Sequence, residues 1–308
     1  MESELIRYLR RRLPPHPLLK LGPGDDAAVI SMAGVAECVL TVDMLMDRVD
    51  FRVGEVDPKR IGRKSLAVNL SDLAAMAAEP LAGVVALALP RSGGMDLAVN
   101  LYEGLIPLAE RYALAVAGGD TNSWDGPLVI SITLLGRVGP KGPLLRSGAR
   151  PGDWILVTGE FGGSILGHHF DFEPRLAEAR LLNERYTLHA GIDVSDGLSI
   201  DLARLCQESG CGALVRTADM PISEAAGKWA AQVSDGSTPL DHALGDGEDF
   251  ELILAVPPEE AARILADQPL QTPITHIGEC IDEAGLWATD DRLGKIRLAA
   301  RGYEHELN

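Results

Sequence analysis

Basic side chains are scarce: 28 lysines and arginines stand against 45 aspartates and glutamates, a formal charge of −17 over 308 residues. Such a surface repels a phosphodiester backbone and an anionic membrane alike, so neither nucleic acid nor membrane is expected as a partner. Cysteine is equally thin. Cys38, Cys206, Cys211 and Cys280 form no CxxC pair and have no metal-like spacing with the seven histidines, and they read as reduced thiols of a cytoplasmic protein. No stretch approaches the length of a bilayer span, and the opening MESELIRYLRRRLPPHPLLK lacks the apolar segment of a signal peptide. There is no GxGxxG, GxSxG or HExxH. Gly62-Arg63-Lys64-Ser65 lacks the upstream glycine and the Gly-Lys pair of a P-loop, so the familiar phosphate cradles and hydrolase nucleophiles are absent.

What is present is a globular composition, 46% hydrophobic and 24% charged with 33 glycines and 19 prolines, on a length that suggests two domains. Residues 1–13 read as a short helix stopped by Pro14 and Pro15. A strand over 35–43 ends in an aspartate, and a helix from Pro58 through Ala78 buries Leu66, Leu70, Leu73 and Ala77 while Ser65, Asn69 and Asp72 form a separate polar stripe. An apolar segment at 83–90 precedes a helix carrying Leu97, Leu101, Leu105, Leu108 and Tyr112. A strand over 113–120 again closes on an aspartate, and Ile130, Ile132 and Leu134 alternate as one face of a strand over 128–138. The Gly/Pro-rich text GPKGPLLRSGARPG at 139–152 marks a junction, giving units 1–140 and 141–308. In the second unit a strand at DWILVTG is followed by helical stretches near 162–170 and 175–188, a turn at 191–197 and a helix at 198–209. Strands near 213–216, 250–256 and 274–280 complete it. The alternation implies α/β or α+β architecture in both units.

The chemistry-bearing pattern is an aspartate at a strand end or helix start beside Gly, Ser or Thr: Asp25-Asp26, Asp43, Asp72, Asp120, Asp193, Asp196 and the run Gly245-Asp246-Gly247-Glu248-Asp249. Singly these are ordinary turn and N-cap residues. Jointly, strand ends at one sheet edge converge on one crevice. Two carboxylates about 4 Å apart repel by roughly 4 kcal/mol at an effective dielectric near 20, so clustering calls for cations between them. Magnesium fits, since it shares its oxygen coordination with water and phosphate. Gly118 and Gly119 would let the backbone approach such phosphates.

GDDAAV, AVNLSDLAAM, GGDT, RSGARPGD, VTGEFGGS, IDVSDGL and GEDFEL occur in the order and spacing of one family, and from about residue 20 onward the chain resembles the thiamine-monophosphate kinases. That family shares the two-domain PurM-like fold of aminoimidazole ribonucleotide synthetase, selenophosphate synthetase and HypE. The resemblance implies an N-terminal α/β domain that dimerises through its sheet, a C-terminal α+β domain, and ATP bound between them. It puts Asp26, Thr41, the Val42 carbonyl, Asp43, Asp72, Asp120, Asp193 and Asp196 on magnesium, with several ions. It puts Tyr102, Gly119, Asp120, Arg146 and Ser195 on ATP, and Glu248 and Tyr303 on thiamine phosphate, with Asp50 expected beside them at the substrate. Asp72, Asp120 and Asp196 carry the catalytic roles. Asp43, Asp72 and Asp120 are expected at the ions bridging the ATP phosphates, and Asp26, Asp193 and Asp196 nearer the acceptor. Asp50 stands where the family commonly has a substrate-touching histidine, Gly162-Gly163 replaces Gly-Asp, and LLNERYTLHAG replaces a Pro-rich segment. The implied activity is ATP-dependent phosphorylation of thiamine phosphate to thiamine diphosphate in a cytoplasmic homodimer. The rivals are a related kinase or synthetase with another acceptor and a catalytically silent binder of thiamine phosphate or nucleotide. A calcium-binding protein is weaker still, for want of a DxDxDG loop.

Overall fold

In the computed structural model the described residues are 19–21, 25–30, 37–290 and 294–305. The helix read at 1–13 lies outside them. Two sheets organise the chain, one of six strands and one of seven. The first runs in the order β1 (Leu19–Leu21), β2 (Ala28–Ile30), β3 (Cys38–Met46), β6 (Val129–Arg137), β4 (Glu79–Pro90), β5 (Ala115–Trp124). Helices α1 (Pro58–Ala75) and α2 (Gly94–Arg111) cover one of its faces. Asp57 caps α1 by accepting the Lys59 amide at 3.0 Å, and Pro58 occupies its first turn. The helix ends at Ala75, three residues short of the expected Ala78, because Ala77 adopts a left-handed φ of 52°. Glycines let α1 and α2 touch backbone to backbone: a Cβ on Gly62 would lie 1.9 Å from the Leu101 carbonyl oxygen.

Two strands run further than the sequence suggests, and this relocates their aspartates. β3 continues to Met46 and β5 to Trp124, so Asp43 and Asp120 lie within strands, not at their ends. In β3, Val39, Thr41 and Leu45 are buried toward the helices, whereas Leu40, Val42 and Met44 face outward.

Residues 138–153 lead to the second sheet, in the order β13 (Gly294–Arg297), β12 (Gly285–Asp290), β9 (Gly212–Arg216), β11 (Ile274–Ile281), β7 (Trp154–Thr158), β10 (Leu252–Val256), β8 (Ala190–Asp193). The stretch near 162–170 is only a 3-10 turn and the short α3 (His168–Asp171), and the following helix is α4 (Leu176–Arg185). Helix α5 (Leu198–Ser209) stands where expected. Helices α6 (Glu224–Gln232), α7 (Pro239–Gly245) and α8 (Pro258–Asp267) and strands β12 and β13 are further elements beyond those the sequence reading names. The segment read as a turn at 191–197 begins as β8. Although β8 ends its sheet, all four of its residues are buried, because α1 of the first unit packs beside it. Arg63 ties the units together by donating to the carbonyls of Phe170 at 3.0 Å and Phe172 at 2.6 Å. One hydrophobic cluster runs through both, from Leu70 and Ile132 to Phe172 and Leu252.

Candidate functional site

Because α1 lies between β3 and β8, acids remote in the chain meet at the junction. Carboxylate oxygens of Asp26, Asp72 and Asp193 lie within 4.8 Å of one another. Asp72 comes from the last turns of α1, Asp193 from the end of β8, and Asp26 from the loop before β2. Each acid is held by a neighbour. The Thr41 hydroxyl donates to Asp72 and the Ser71 hydroxyl to Asp193. Arg146 grips Asp26 with two bonds, Nε at 3.0 Å and Nη2 at 2.5 Å, while its backbone amide donates to Asp25 at 3.1 Å.

Burial and mutual repulsion make ionisation of Asp72 and Asp193 costly. Burial, then Asp43, Asp193 and Asp26, raise Asp72 well above the usual carboxylate range. Burial and Asp26 do the same to Asp193. Asp25 is pushed up to about 7 by burial and by Asp26, and Asp43 to about 7 by burial and by Asp196 and Asp50. Asp43 Oδ2 is buried without a hydrogen-bond partner, although its amide donates to Asn69 at 3.1 Å. An all-oxygen set with surplus negative charge and one orphaned carboxylate oxygen fits a hard divalent cation.

The sign of the pH dependence follows. Between the unfolded carboxylate pKa near 4 and the folded values near 7, the folded chain binds more protons than the unfolded one, so these groups lose stabilising power as pH rises. Magnesium should therefore raise the melting temperature more at about pH 7.5 than at about pH 5, where protons already occupy the oxygens. Calorimetry at both pH values with and without magnesium checks this; an equal increment at both would contradict it.

Other expected residues sit elsewhere. Asp196 is partly buried and bonded by Arg204, which also holds Asp201 at 2.7 Å. Asp43 feels Asp72 on one side and Asp196 and Asp50 on the other, so it links the cluster to a second end of the cleft. There Glu248 bonds Lys64 and His169, its amide donates to the Ser195 carbonyl at 2.7 Å, and the Tyr303 amide donates to the Asp196 carbonyl at 2.9 Å. The Asp50 side chain accepts the Met46 amide at 2.6 Å, closing the turn after β3. Tyr102 is half-buried on α2 against the main core.

Asp120 does not join the cluster of its own chain. In register it follows the row Met44, Ser131, Ala86, Asp120, which is the outward face, whereas Thr41 and Asp43 belong to the inward face. It also lies three strands from β3, about 14 Å at ordinary strand spacing. The expected grouping of Asp72 with Asp120 is thus replaced by one of Asp72 with Asp26 and Asp193. Gly119 has a structural reason as well: a Cβ there would lie 1.8 Å from the Val85 carbonyl oxygen. Val42 has its side chain on the outer face, 60% exposed.

Lys64, His169, Arg204 and Asp201 are neighbours that the motifs do not mark, whereas Ser71 stands in the Ser71-Asp72 pair itself. The available signal was a lysine beside the polar stripe of α1.

Residues 24–138 match the family described as AIR synthase related protein, N-terminal domain, and residues 150–290 its C-terminal domain counterpart. Over 312 aligned residues the chain is 44% identical to the thiamine-monophosphate kinase of Rhodopirellula baltica, across 99% of this chain and 97% of that one. Its fold is similar to a solved structure described as AaThiL complexed with AMPPCP and TMP, with a TM-score of 0.85 and 25% identity over 99% and 97% of the two chains. It is also similar to the thiamine-monophosphate kinase of Stenotrophomonas maltophilia K279a, with a TM-score of 0.72 and 32% identity over 92% and 94% of the chains.

Proposed function

The chain belongs to the thiamine-monophosphate kinase family, and from that premise we propose that it transfers the γ-phosphoryl group of ATP to thiamine phosphate, giving thiamine diphosphate and ADP. The observation that carries this reading is the convergence of Asp26, Asp72 and Asp193, from both units, on one point of the cleft. Asp26, Asp43, Asp72 and Asp193 would hold magnesium, which when bound supplies charge neutralisation for the phosphates.

The acceptor is itself a phosphate whose oxygen is ionised near neutral pH, so no strong general base is required. The oxygen attacks the γ-phosphorus, the bond to the ADP oxygen breaks, and the chain's task is to align the two and balance charge. Arg146, beside the cluster, would exchange its Asp26 partner for phosphate oxygens. Ser195, Tyr102 and Gly119 are assigned to ATP, and Asp196, with its Arg204 partner, to the transfer point between ATP and acceptor. Glu248 and Tyr303 are assigned to the acceptor. Asp50, with one carboxylate oxygen engaged in the turn after β3, is assigned to the acceptor end beside Glu248. Transfer from labelled ATP to thiamine phosphate, with and without magnesium, tests the reading; no labelled thiamine diphosphate in either condition would overturn it.

A homodimer is proposed on the outer face of the first sheet, where Leu40, Val42, Met44 and Val84 present an apolar surface opposite the helices. Asp120 lies on that face, so its proposed role at ATP belongs to the paired assembly and not to the cleft of its own chain. Met44→Asp should give a monomer by sedimentation velocity where the parent chain is a dimer; a parent chain that sediments as a monomer contradicts the assembly.

A further inference from the structure

Lys64 is one of the largest fully buried side chains among the described residues, with no exposed surface at all. An ammonium taken out of water costs several kcal/mol unless oxygens surround it, so its partners indicate why it is there. None lies in its own helix. Nζ is 2.5 Å from Glu248 Oε1, 3.1 Å from the Asp50 carbonyl oxygen and 3.0 Å from His169 Nδ1, and it lies 5.2 Å from the centre of the Phe170 ring. A cation rooted in the first unit is therefore spent on a carboxylate of the second.

Glu248 is correspondingly constrained. Its φ is 54°, a left-handed value that side chains other than glycine seldom adopt. Oε1 meets Lys64, and His169 Nδ1 lies 2.9 Å from Oε2. A carboxylate only accepts, so the imidazole proton is assigned to Nδ1, donating to Oε2; Nδ1 then accepts nothing from Lys64, whose approach to it is a close contact and not a hydrogen bond. Burial alone would raise the Glu248 pKa; the His169 hydrogen bond and the Lys64 charge overcome it and hold the carboxyl below its usual range. The side chain is nonetheless 35% exposed, and each oxygen keeps a further lone pair for a ligand.

We propose that Lys64, seconded by His169, is the positioning residue of the acceptor end: reaching across the domain junction, it holds the Glu248 carboxylate in place so that it meets the organic cation of the phosphate acceptor. This rests on the assignment of Glu248 to thiamine phosphate made above. Lys64 itself touches neither substrate.

Steady-state kinetics on Lys64→Met, Glu248→Gln and the double variant test the inference. Lys64→Met should raise KM for thiamine phosphate about tenfold, the loss of one charge-assisted contact, while KM for ATP stays within about threefold. The double variant should be no worse than Glu248→Gln alone, since Lys64 acts through that carboxylate. His169→Asn, which leaves the buried cation in place, should show the same split at smaller size and serves if Lys64→Met does not fold. Multiplying effects in the double variant, or parallel rises in both KM values, overturn the positioning role. A parent enzyme without turnover on thiamine phosphate overturns the acceptor assignment itself, which keeps the two failures apart.

Discussion

Asp72→Asn should lower turnover on the order of a thousandfold and, in the absence of divalent cations, raise the melting temperature by a few degrees. The two effects have opposite signs for one reason. Asp72 stands within reach of Asp26 and Asp193 and also feels Asp43, and burial with this repulsion already drives its pKa up. An amide avoids the cost of burying or protonating a carboxylate among like charges while still accepting from the Thr41 hydroxyl, so the cation-free fold gains. The same change removes a ligand from the only group of three acids found to converge among the described residues. Turnover assays and calorimetry in chelator check the two halves. A variant that works normally, or one that melts lower than the parent chain, would show that Asp72 serves packing and not the phosphates.

Arg146→Ala should behave in the reverse sense. Its guanidinium makes two bonds to Asp26 and is the counter-charge nearest the cluster, and its amide anchors Asp25. Removing it strands a buried carboxylate, which costs on the order of 3 kcal/mol in chelator, or several degrees of melting temperature. Magnesium should restore part of that loss, because the ion takes over the neutralising role. In the assay, KM for ATP should rise on the order of a hundredfold while KM for thiamine phosphate changes little. Unchanged ATP affinity with lost stability would make Arg146 a structural ion pair alone. The pair of variants is informative together: one is inactive and more stable, the other is weak for ATP and less stable.

Local pattern was legible where one period dominates. Ile130, Ile132 and Leu134 alternate and are all buried on β6, and the repeat of Leu66, Leu70 and Leu73 lines the covered face of α1. The acids Asp26, Asp72 and Asp193 were legible as candidates because Asp beside small residues recurs at strand and helix boundaries. Their division into groups was not. Asp43 and Asp120 look alike in sequence, each closing an apolar run, yet β3 and β5 run on past them. Which face an in-strand side chain takes depends on register, and register depends on the neighbouring strands.

The sequence by itself determined the α/β character, the ordered set of motifs, the acidic balance and the residues available to hold cations and phosphates, because composition and short-range periodicity are properties of the chain alone. Only the tertiary structure decided that Asp72 meets Asp26 and Asp193 while Asp120 faces the other way, and that Lys64 is buried against Glu248. The Asp72–Asp193 and Lys64–Glu248 pairings join residues from different units, and their energies arise from desolvation and Coulomb contact that exist only once α1 is packed against β8. A lysine in a helix ordinarily points to water; here the second unit closes over it and turns it toward a carboxylate.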